Sequence, residues 1–363
     1  MDFESYLREC QQRLSAATSR VKDFAVFDFN HIPDQPLMRE ECQRLIDIKL
    51  RFSLTGIPTH LAVIGSRGSG KTLTLKYLQT IIPSRTDLTV LYANCRTHNT
   101  SFKILAHLLG VQARGASLTE LYDRFRVRYP NKTVVVLDEV DLMSLKDRRR
   151  EILYLLSRSE APYMVIMLSN NPHVLKELDP ATMSSLQPEL IHFRNYNADQ
   201  IAAILQDRAN RGLHEWDKGS LSHVAALTVR NANADARLAI KTLYYSVTET
   251  RRDVEQCFEK ARHDIVVDMI HDLSDPNLMI LKAVSLRGTD FVKEIYERYC
   301  RLSHSRHLKP FSYVYFYSNL SYLQSVGLIA LLSAKVGRSY TNRAVLTFDQ
   351  SILDTVSKLR LDA

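Results

Sequence analysis

Eight residues in the first quarter of the chain have the types and spacing of a phosphate-binding loop. They follow the pattern G-x-x-x-x-G-K-[ST] and are Gly65, Ser66, Arg67, Gly68, Ser69, Gly70, Lys71 and Thr72. Glycines let the backbone curl so that several N–H groups point at one phosphate, and a following helix adds positive potential. Lys71 is predicted to contact the β- and γ-phosphates, and the Thr72 hydroxyl is predicted to bind Mg²⁺.

The residues on either side of this loop support the prediction. Residues 60–64 form a short apolar run typical of a buried strand, and residues 73–78 have leucines at helical spacing. The alternative is a chance match in a glycine-rich loop. A strand before the loop and a helix after it argue against that alternative.

A second group of residues has the chemistry to bind a metal ion and activate water. Residues 133–137 are an apolar, β-branched run typical of a parallel strand buried on both faces, and Asp138 and Glu139 follow it. Ligands bind at the carboxyl ends of strands in open α/β sheets. Asp138 is therefore predicted to lie in the coordination shell of Mg²⁺, and Glu139 is predicted to polarise a water as general base. The alternative is an acidic turn after a core strand.

The length and composition of the chain exclude several classes of protein. At 363 residues the chain is long enough for two or three domains. It contains no run of 18 apolar residues, so no membrane span is expected. The first residues lack a signal-peptide pattern, and the 5 cysteines form no C-x-x-C pair, which favours reduced thiols and a cytoplasmic location.

Positive charge is concentrated in the last quarter of the chain. Residues 279–363 hold 12 Lys and Arg against 6 Asp and Glu, a net charge of +6, whereas the remainder holds 36 against 34. A basic terminal module favours a polyanionic partner, most simply nucleic acid. The alternative is a basic surface that serves only solubility.

Hydrophobic patterns predict an α/β region followed by helices. Three further strands are predicted, at residues 88–92, 163–168 and 190–193. With helices between them, the five strands form a parallel sheet of βαβ units. Helices are also predicted at residues 1–22, at 38–54 and over much of 197–272, and Asp275 with Pro276 marks a boundary.

The last segment has the pattern of a winged helix, in which a hairpin follows three helices. Helices are predicted at 276–287, 289–302 and 312–326, followed by apolar runs at 327–332 and 344–348 around a polar turn. The third helix can enter a major groove while the tip of the hairpin contacts the DNA backbone or minor groove. The candidate DNA-binding residues are Tyr315, Asn319, Lys335, Arg338, Tyr340 and Arg343.

The periodicity of the third helix separates a core face from an outer face. Phe316, Leu320 and Leu323 recur at helical spacing and are predicted to face the core. Tyr315 and Asn319 point roughly the other way. Two alternatives stay open: these side chains pack against an adjacent domain, or the winged helix binds a protein, because a fold does not determine a function.

With these elements in order, the chain resembles the AAA+ replication initiators of the origin-recognition and cell-division-control type, in their compact archaeal form. The resemblance covers about residues 24–350 and rests on several short motifs taken together. These motifs are residues 26–27, 32–33, 39–40, 94–95, 137–141, 152–158 and 169–171, Phe193, Tyr196, Gln200, Ile204, Leu205, Arg208 and residues 234–237. The resemblance implies an α/β AAA+ phosphate-loop ATPase core, a helical lid and a C-terminal winged-helix domain.

The resemblance also implies domain limits and nucleotide contacts. The implied parts are an N-terminal helix at 1–23, the nucleotide-binding core at 24–196, the lid at 197–273 and the winged-helix domain at 274–363. ATP or ADP with Mg²⁺ would bind between core and lid. The nucleotide contacts implied outside the loop are Val26, Phe27, Arg39, Tyr196, Ile204 and Arg237.

Two polar residues match sensor positions of the family. Asn170 ends the fourth strand, where the family's sensor-one residue would hydrogen-bond the γ-phosphate or orient water. Arg237 matches the sensor-two cation, whose contact with phosphate would couple nucleotide state to lid angle. For Arg237 the alternative is a surface ion pair with Asp235 or another neighbour.

One position departs from the family. The family commonly has an arginine near residues 178–180 that contacts the nucleotide of a neighbouring subunit, and this chain has Ala181 there. Arg194 or the arginine run at 148–150 is the candidate substitute. Because such an arginine stabilises transition-state charge, slow ATP hydrolysis with retained binding is expected.

The resemblance implies an ATP-dependent initiator that binds double-stranded origin DNA, associates with the nucleoid, and recruits or loads the replicative helicase. Assembly into a homo- or hetero-oligomer on DNA is also implied. Two alternatives stay open: an AAA+ regulator of a mobile element or defence system that acts on a protein, and a nucleotide-locked structural subunit. Sequence-specific duplex binding separates the first hypothesis from the second, and turnover separates both from the third.

Overall fold

The computed structural model divides the chain into two compact units. It describes residues 2–112, 114–144, 147, 149–249, 253–286, 288, 290–336 and 339–361. The first unit comprises Met1–Phe27, Leu205–Asn233 and Arg237–Ala363, and the second comprises Asp28–Ile204 and Ala234–Ala236. Among the described residues, no helix combines the length and the apolarity needed to cross a bilayer.

Helices and strands alternate in the first half of the chain, and helices dominate the second. In chain order the elements are α1 (Phe3–Thr18), α2 (Glu40–Thr55), β1 (Leu61–Gly65), α3 (Lys71–Ile81), β2 (Thr89–Asn94), α4 (Ser101–Leu109), α5 (Leu118–Arg128), β3 (Thr133–Asp138), α6 (Glu151–Ser157), β4 (Tyr163–Ser169), α7 (Pro180–Leu186), β5 (Glu189–Phe193), α8 (Ala198–Gly212), α9 (Lys218–Asn231), α10 (Ala236–Thr248), α11 (Val254–His271), α12 (Asp275–Ser285), α13 (Val292–Ser305), α14 (Tyr313–Ser325), β6 (Ile329–Val336), β7 (Ser339–Leu346) and α15 (Gln350–Leu361). All five strands predicted for the α/β region are present, with limits shifted by one or two residues.

The second unit is built on a five-stranded parallel sheet with helices on both faces. Its strand order is β2–β3–β4–β1–β5, and each adjacent pair is parallel. Side chains alternate across the sheet, so Val135 and Leu137 of β3 enter the core that includes α4 and α5. Val134 and Val136 enter the opposite core, with α2 and α3. The predicted α/β fold with a five-stranded parallel sheet is confirmed.

The register of the sheet places several polar residues at one edge. Ile64, which precedes the phosphate loop, lies opposite Ser169, and Asn94 lies opposite Asp138. Because the strands are parallel, their carboxyl ends meet at the same edge. The phosphate loop and the residues that follow β2, β3 and β4 are thereby brought together.

The C-terminal part of the first unit has three helices followed by an antiparallel hairpin. α12, α13 and α14 precede β6 and β7, and the predicted winged-helix arrangement is confirmed. Phe316, Leu320 and Leu323 are fully buried in its core, as the periodicity of α14 predicted.

Two details of this part differ from the prediction. The polar turn predicted at 333–343 is mostly paired strand, since Ser333 lies opposite Asn342 and Lys335 opposite Tyr340. Helix α15 was not predicted, and its Leu353 and Val356 are buried in the same core. Residues 333–343 are mostly polar and continue neither apolar run, which explains why the two strands were predicted too short.

Candidate nucleotide-binding site

The phosphate loop connects β1 to α3, as predicted. Gly68 and Gly70 have φ angles of 71° and 90°, a left-handed conformation that favours glycine. A Cβ on Gly70 would collide with the hydroxyl of Tyr196, and one on Gly68 would collide with the carboxylate of Asp235. Tyr196 and Asp235 therefore lie directly against the loop, and a larger residue at either glycine would have to displace them.

The side chain of Lys71 lies over the loop and meets the end of β4. Its Nζ donates hydrogen bonds to the carbonyl oxygens of Gly65 and Ser66, both at 2.8 Å. It also donates to the amide oxygen of Asn170 at 2.9 Å. Lys71 and Asn170, two residues predicted to face the γ-phosphate, are thus adjacent.

Thr72 and Asp138 are also brought together. The Thr72 hydroxyl donates to Asp138 Oδ2 at 2.8 Å, and the Tyr92 hydroxyl donates to the same oxygen at 2.8 Å. Burial raises the pKa of Asp138, while the hydrogen bonds from Tyr92 and Thr72 oppose that shift. A hydroxyl beside a carboxylate is an oxygen donor set that suits a hard cation such as Mg²⁺.

Glu139 follows directly and is held by residues at the end of β2. Its backbone is left-handed, with φ 55° and ψ 45°, a conformation that costs energy for a non-glycine residue. Its Oε2 accepts from the Asn94 amide at 3.1 Å and lies 3.5 Å from Arg96 Nε. The Asn94 amide oxygen in turn accepts from the backbone N–H of Arg96 at 2.8 Å. Sequence reasoning did not assign a role to Arg96, although its place just after a strand end was a usable signal.

Arg39 is buried and connects the phosphate loop to the residues that follow β5. Its guanidinium donates to the carbonyl oxygens of Ser69, at 2.7 Å, and Arg194, at 2.9 Å. The same group lies over the Tyr196 ring at 4.3 Å and near the Phe193 ring at 5.1 Å. The resemblance implied that Arg39 and Tyr196 contact the nucleotide. These hydrogen bonds and ring contacts support the loop itself, and the contact with nucleotide stays a prediction.

The remaining predicted nucleotide contacts divide between the two units. Ser66 donates to the Asn195 side chain within the second unit, and Ile204 is the last residue of that unit before α8 continues into the first. Val26, Phe27 and Arg237 belong to the first unit. Their predicted contacts with nucleotide stay predictions.

The candidate substitutes for the missing arginine are placed differently. Ala181 is exposed near the start of α7. Arg150 is buried and donates to Glu177 Oε2 at 2.7 Å within its own unit, so the hypothesis that it contacts a neighbouring subunit does not fit. The Arg194 side chain is exposed, and Arg148 lies outside the described residues.

The candidate DNA-binding residues lie on α14 and the hairpin. The Tyr315 ring meets Phe311 edge-on at 4.6 Å, and the Asn319 amide donates to the Tyr315 carbonyl at 2.7 Å. Arg343 donates to Asp290 Oδ2 at 2.6 Å, so this predicted phosphate contact is held in an ion pair. Lys335 is exposed near the end of β6, whereas Arg338 and the side chain of Tyr340 lie outside the described residues.

Comparison with known proteins agrees with this geometry. Residues 57–172 match the family described as AAA domain. The ORC1-type DNA replication protein 1 of Sulfolobus acidocaldarius is 29% identical over 317 residues, covering 78% of each chain. The ORC1-type DNA replication protein of Pyrococcus furiosus is 26% identical over 397 residues, covering 95% of this chain and 94% of the relative. Residues 57–172 are thus similar to an AAA domain, and nearly the whole chain is similar to ORC1-type DNA replication proteins.

Solved structures of similar proteins share the fold of this chain along nearly its whole length. The Aeropyrum pernix ORC1 protein, solved in complex with DNA, has a TM-score of 0.68 at 23% identity and covers 94% of this chain and 97% of its own. The Aeropyrum pernix ORC2 protein, solved as ADPNP–ADP complexes, has a TM-score of 0.57 at 23% identity and covers 95% and 100%. These likenesses concern the fold, and they confirm the predicted AAA+ phosphate-loop class.

Proposed function

We propose that this protein is an ATP-dependent replication initiator that binds double-stranded origin DNA. The observation that carries the proposal is its alignment over 95% of its length, winged helix included, with a relative described as an ORC1-type DNA replication protein. The assembled phosphate-loop site supports the nucleotide part. The net charge of +6 in residues 279–363 supports the DNA part.

ATP or ADP would bind through residues 65–72, with Lys71 and Asn170 at the γ-phosphate. Thr72 and Asp138 would bind Mg²⁺, which supplies positive charge to the phosphate oxygens. Glu139 would polarise the attacking water once its carboxylate is free of Asn94 and Arg96. Val26, Phe27, Arg39, Tyr196, Ile204 and Arg237 complete the proposed nucleotide contacts.

Slow hydrolysis is part of the proposal. Ala181 supplies no cation to a neighbouring site, and Arg150 is engaged within its own unit. Glu139 is held by two side chains from the end of β2. A protein of this kind would use ATP chiefly as a bound state that alters its affinity for DNA.

DNA binding is assigned to the segment 274–363, preceded by the proposed core at 24–196 and lid at 197–273. Tyr315 and Asn319 of α14 would face base edges, and Lys335, Arg338, Tyr340 and Arg343 would face the DNA backbone. Recruitment of the replicative helicase, oligomers on DNA and a place at the nucleoid complete the proposal.

The test is a binding assay of the full chain against genomic fragments, with ATP, with ADP and without nucleotide. The proposal predicts that a few fragments bind far more tightly than random duplex of the same length, and that ATP and ADP give different affinities. Uniform binding of all fragments, or none, would favour the regulator that acts on a protein target. Phosphate release measured in parallel separates slow turnover from a nucleotide-locked subunit.

A further inference from the structure

The ion pair between Arg150 and Glu177 lies outside the set of residues proposed to contact nucleotide. Arg150 Nη2 donates to Glu177 Oε2 at 2.7 Å; the Arg150 side chain is 9% exposed and the Glu177 side chain 32%. Burial of the guanidinium costs desolvation energy, and a carboxylate that stays partly in water returns only part of that cost. Arg150 also has a left-handed backbone, with φ 47°. A strained residue with a buried charge indicates a role beyond stability.

Glu177 connects this ion pair to the loop that carries Asn170. Its Oε1 accepts from the side-chain amide of Asn171 at 2.8 Å. Asn171 is buried, and its amide oxygen accepts from the backbone N–H of His173 at 2.9 Å. The side-chain nitrogen and oxygen of Asn171 are therefore both hydrogen-bonded. Asn170 is the preceding residue, so its position depends on this arrangement.

A second connection joins the same loop to the segment after Glu139. The Ser169 hydroxyl donates to Asp141 Oδ1 at 2.6 Å and accepts from the backbone N–H of Asn171 at 2.9 Å. The side chains of Ser169 and Asn171, the two neighbours of Asn170 in the chain, are therefore both hydrogen-bonded. Arg150, at the start of α6, is connected to Asn171 through Glu177 and so forms one end of this hydrogen-bonded set.

We propose that Arg150 is a positioning residue for recognition of the γ-phosphate. Arg150, Glu177 and Asn171 form a strut that fixes the amide oxygen of Asn170 beside Lys71. The inference rests on the proposed nucleotide site and deepens it. Because Asn170 is placed to face only the γ-phosphate, loss of the strut weakens binding of a nucleoside triphosphate and spares binding of the diphosphate.

The experiment compares Arg150→Met with Arg124→Met. Methionine removes the charge and keeps much of the side-chain length, and Arg124 is an exposed residue of α5 that undergoes the same change of net charge. Fluorescent analogues of AMPPNP and ADP are titrated into each full-length variant with Mg²⁺ present. Arg150→Met is expected to raise the Kd for AMPPNP about fivefold and to leave the Kd for ADP unchanged. Arg124→Met is expected to alter neither.

A double variant keeps the inference testable if Arg150→Met fails to fold. Arg150→Met alone deletes a buried guanidinium and leaves Glu177 without its ion-pair partner, which destabilises the protein. Combining it with Glu177→Gln removes both charges. The strut predicts that the folded double variant, checked by circular dichroism, shows the same selective loss for AMPPNP. A purely structural ion pair predicts a wild-type ratio of the two Kd values.

The two possible failures are distinguishable. A wild-type ratio in the folded double variant overturns the strut while nucleotide binding by the unsubstituted protein still supports the proposed function. If the unsubstituted protein binds neither analogue, the proposed nucleotide site and the strut inferred from it are both wrong.

Discussion

The ε-ammonium group of Lys71 donates a hydrogen bond of 2.9 Å to the amide oxygen of Asn170, a residue 99 positions later in the chain. Lys71 is both a phosphate-loop residue and the first residue of α3, and Asn170 follows β4. β1 and β4 are parallel neighbours, so their carboxyl ends lie side by side. Strand order rather than closeness along the chain thus assembles the candidate site.

Replacing Lys71 with alanine is expected to remove tight ATP binding. The substitution deletes the ammonium group that would donate charge-assisted hydrogen bonds to the phosphates, so the Kd for ATP should rise at least about tenfold. Isothermal titration with ATP and Mg²⁺ measures the effect. Lys103→Ala, on the exposed face of α4, is the control and should bind as the unsubstituted protein does. Equal affinity in the Lys71 variant would contradict the assignment of residues 65–72.

Glu139→Gln is expected to retain ATP and to lose hydrolysis. The amide keeps the shape of the carboxylate but cannot act as a base, a change that typically costs about 10²–10⁴ in rate. Phosphate release gives the rate and titration gives the affinity. Glu151→Gln, exposed on the first turn of α6, loses the same charge and should turn over normally. A Glu139 variant as fast as the unsubstituted protein would rule out a base at this position.

Gly70→Ala and Gly110→Ala are expected to differ sharply. Both glycines are left-handed, with φ of 90° and 66°. A Cβ on Gly110 meets nothing within 4 Å, whereas one on Gly70 collides with Tyr196. Gly110→Ala should therefore cost about 1–2 kcal/mol of stability and keep its affinity for ATP. Gly70→Ala should lose both stability and affinity for ATP. Urea unfolding and ATP titration of the two variants are the measurements, and similar results for both would argue against a tight fit at Tyr196.

Arg343→Ala and Asp290→Asn are expected to change DNA binding in opposite directions. If Arg343 meets a phosphate, its loss should weaken duplex binding and flatten the log–log salt dependence by about one unit. Asp290→Asn weakens the ion pair that holds Arg343 and removes a nearby negative charge, so duplex binding should tighten. Fluorescence anisotropy across a salt series tests both. An unchanged slope in the Arg343 variant would favour a protein target for the winged helix.

Lys49→Met is expected to stabilise the protein in a pH-dependent way. Lys49 is fully buried on α2, and within the described residues its Nζ has no hydrogen-bond partner. Burial lowers its pKa from 10.5 to about 7. Between those values the unfolded chain binds a proton that the folded chain lacks, so stability rises with pH across this window.

The gain from Lys49→Met should therefore be greatest at or below pH 7. Above pH 7 it should shrink by about 1.4 kcal/mol per pH unit as the unsubstituted protein recovers stability. Urea unfolding at pH 6.5, 8 and 9.5 measures the trend, with Lys103→Met as the exposed control. A gain that is the same at all three pH values would show that the Lys49 amine is not held in its neutral form.

Local patterns were enough to predict much of the fold. The phosphate loop, the five strands and the core face of α14 follow from residue types at short spacing, which report backbone geometry and burial directly. The hairpin strands were predicted too short because residues 333–343, which form their outer halves and the turn, are mostly polar. Strand pairing depends on two segments at once. The register that places Lys335 opposite Tyr340 therefore cannot be predicted from the sequence of either strand alone.

The sequence by itself determined which residues carry the candidate chemistry: Lys71, Thr72, Asp138, Glu139 and Asn170. Only the tertiary structure decided what each charged group contacts. It turns Arg150 inward onto Glu177, holds Arg343 against Asp290 and buries Lys49 without a partner among the described residues. The physical reason is that spacing specifies a local backbone, whereas an ion pair or a desolvated amine depends on packing between segments far apart in the chain.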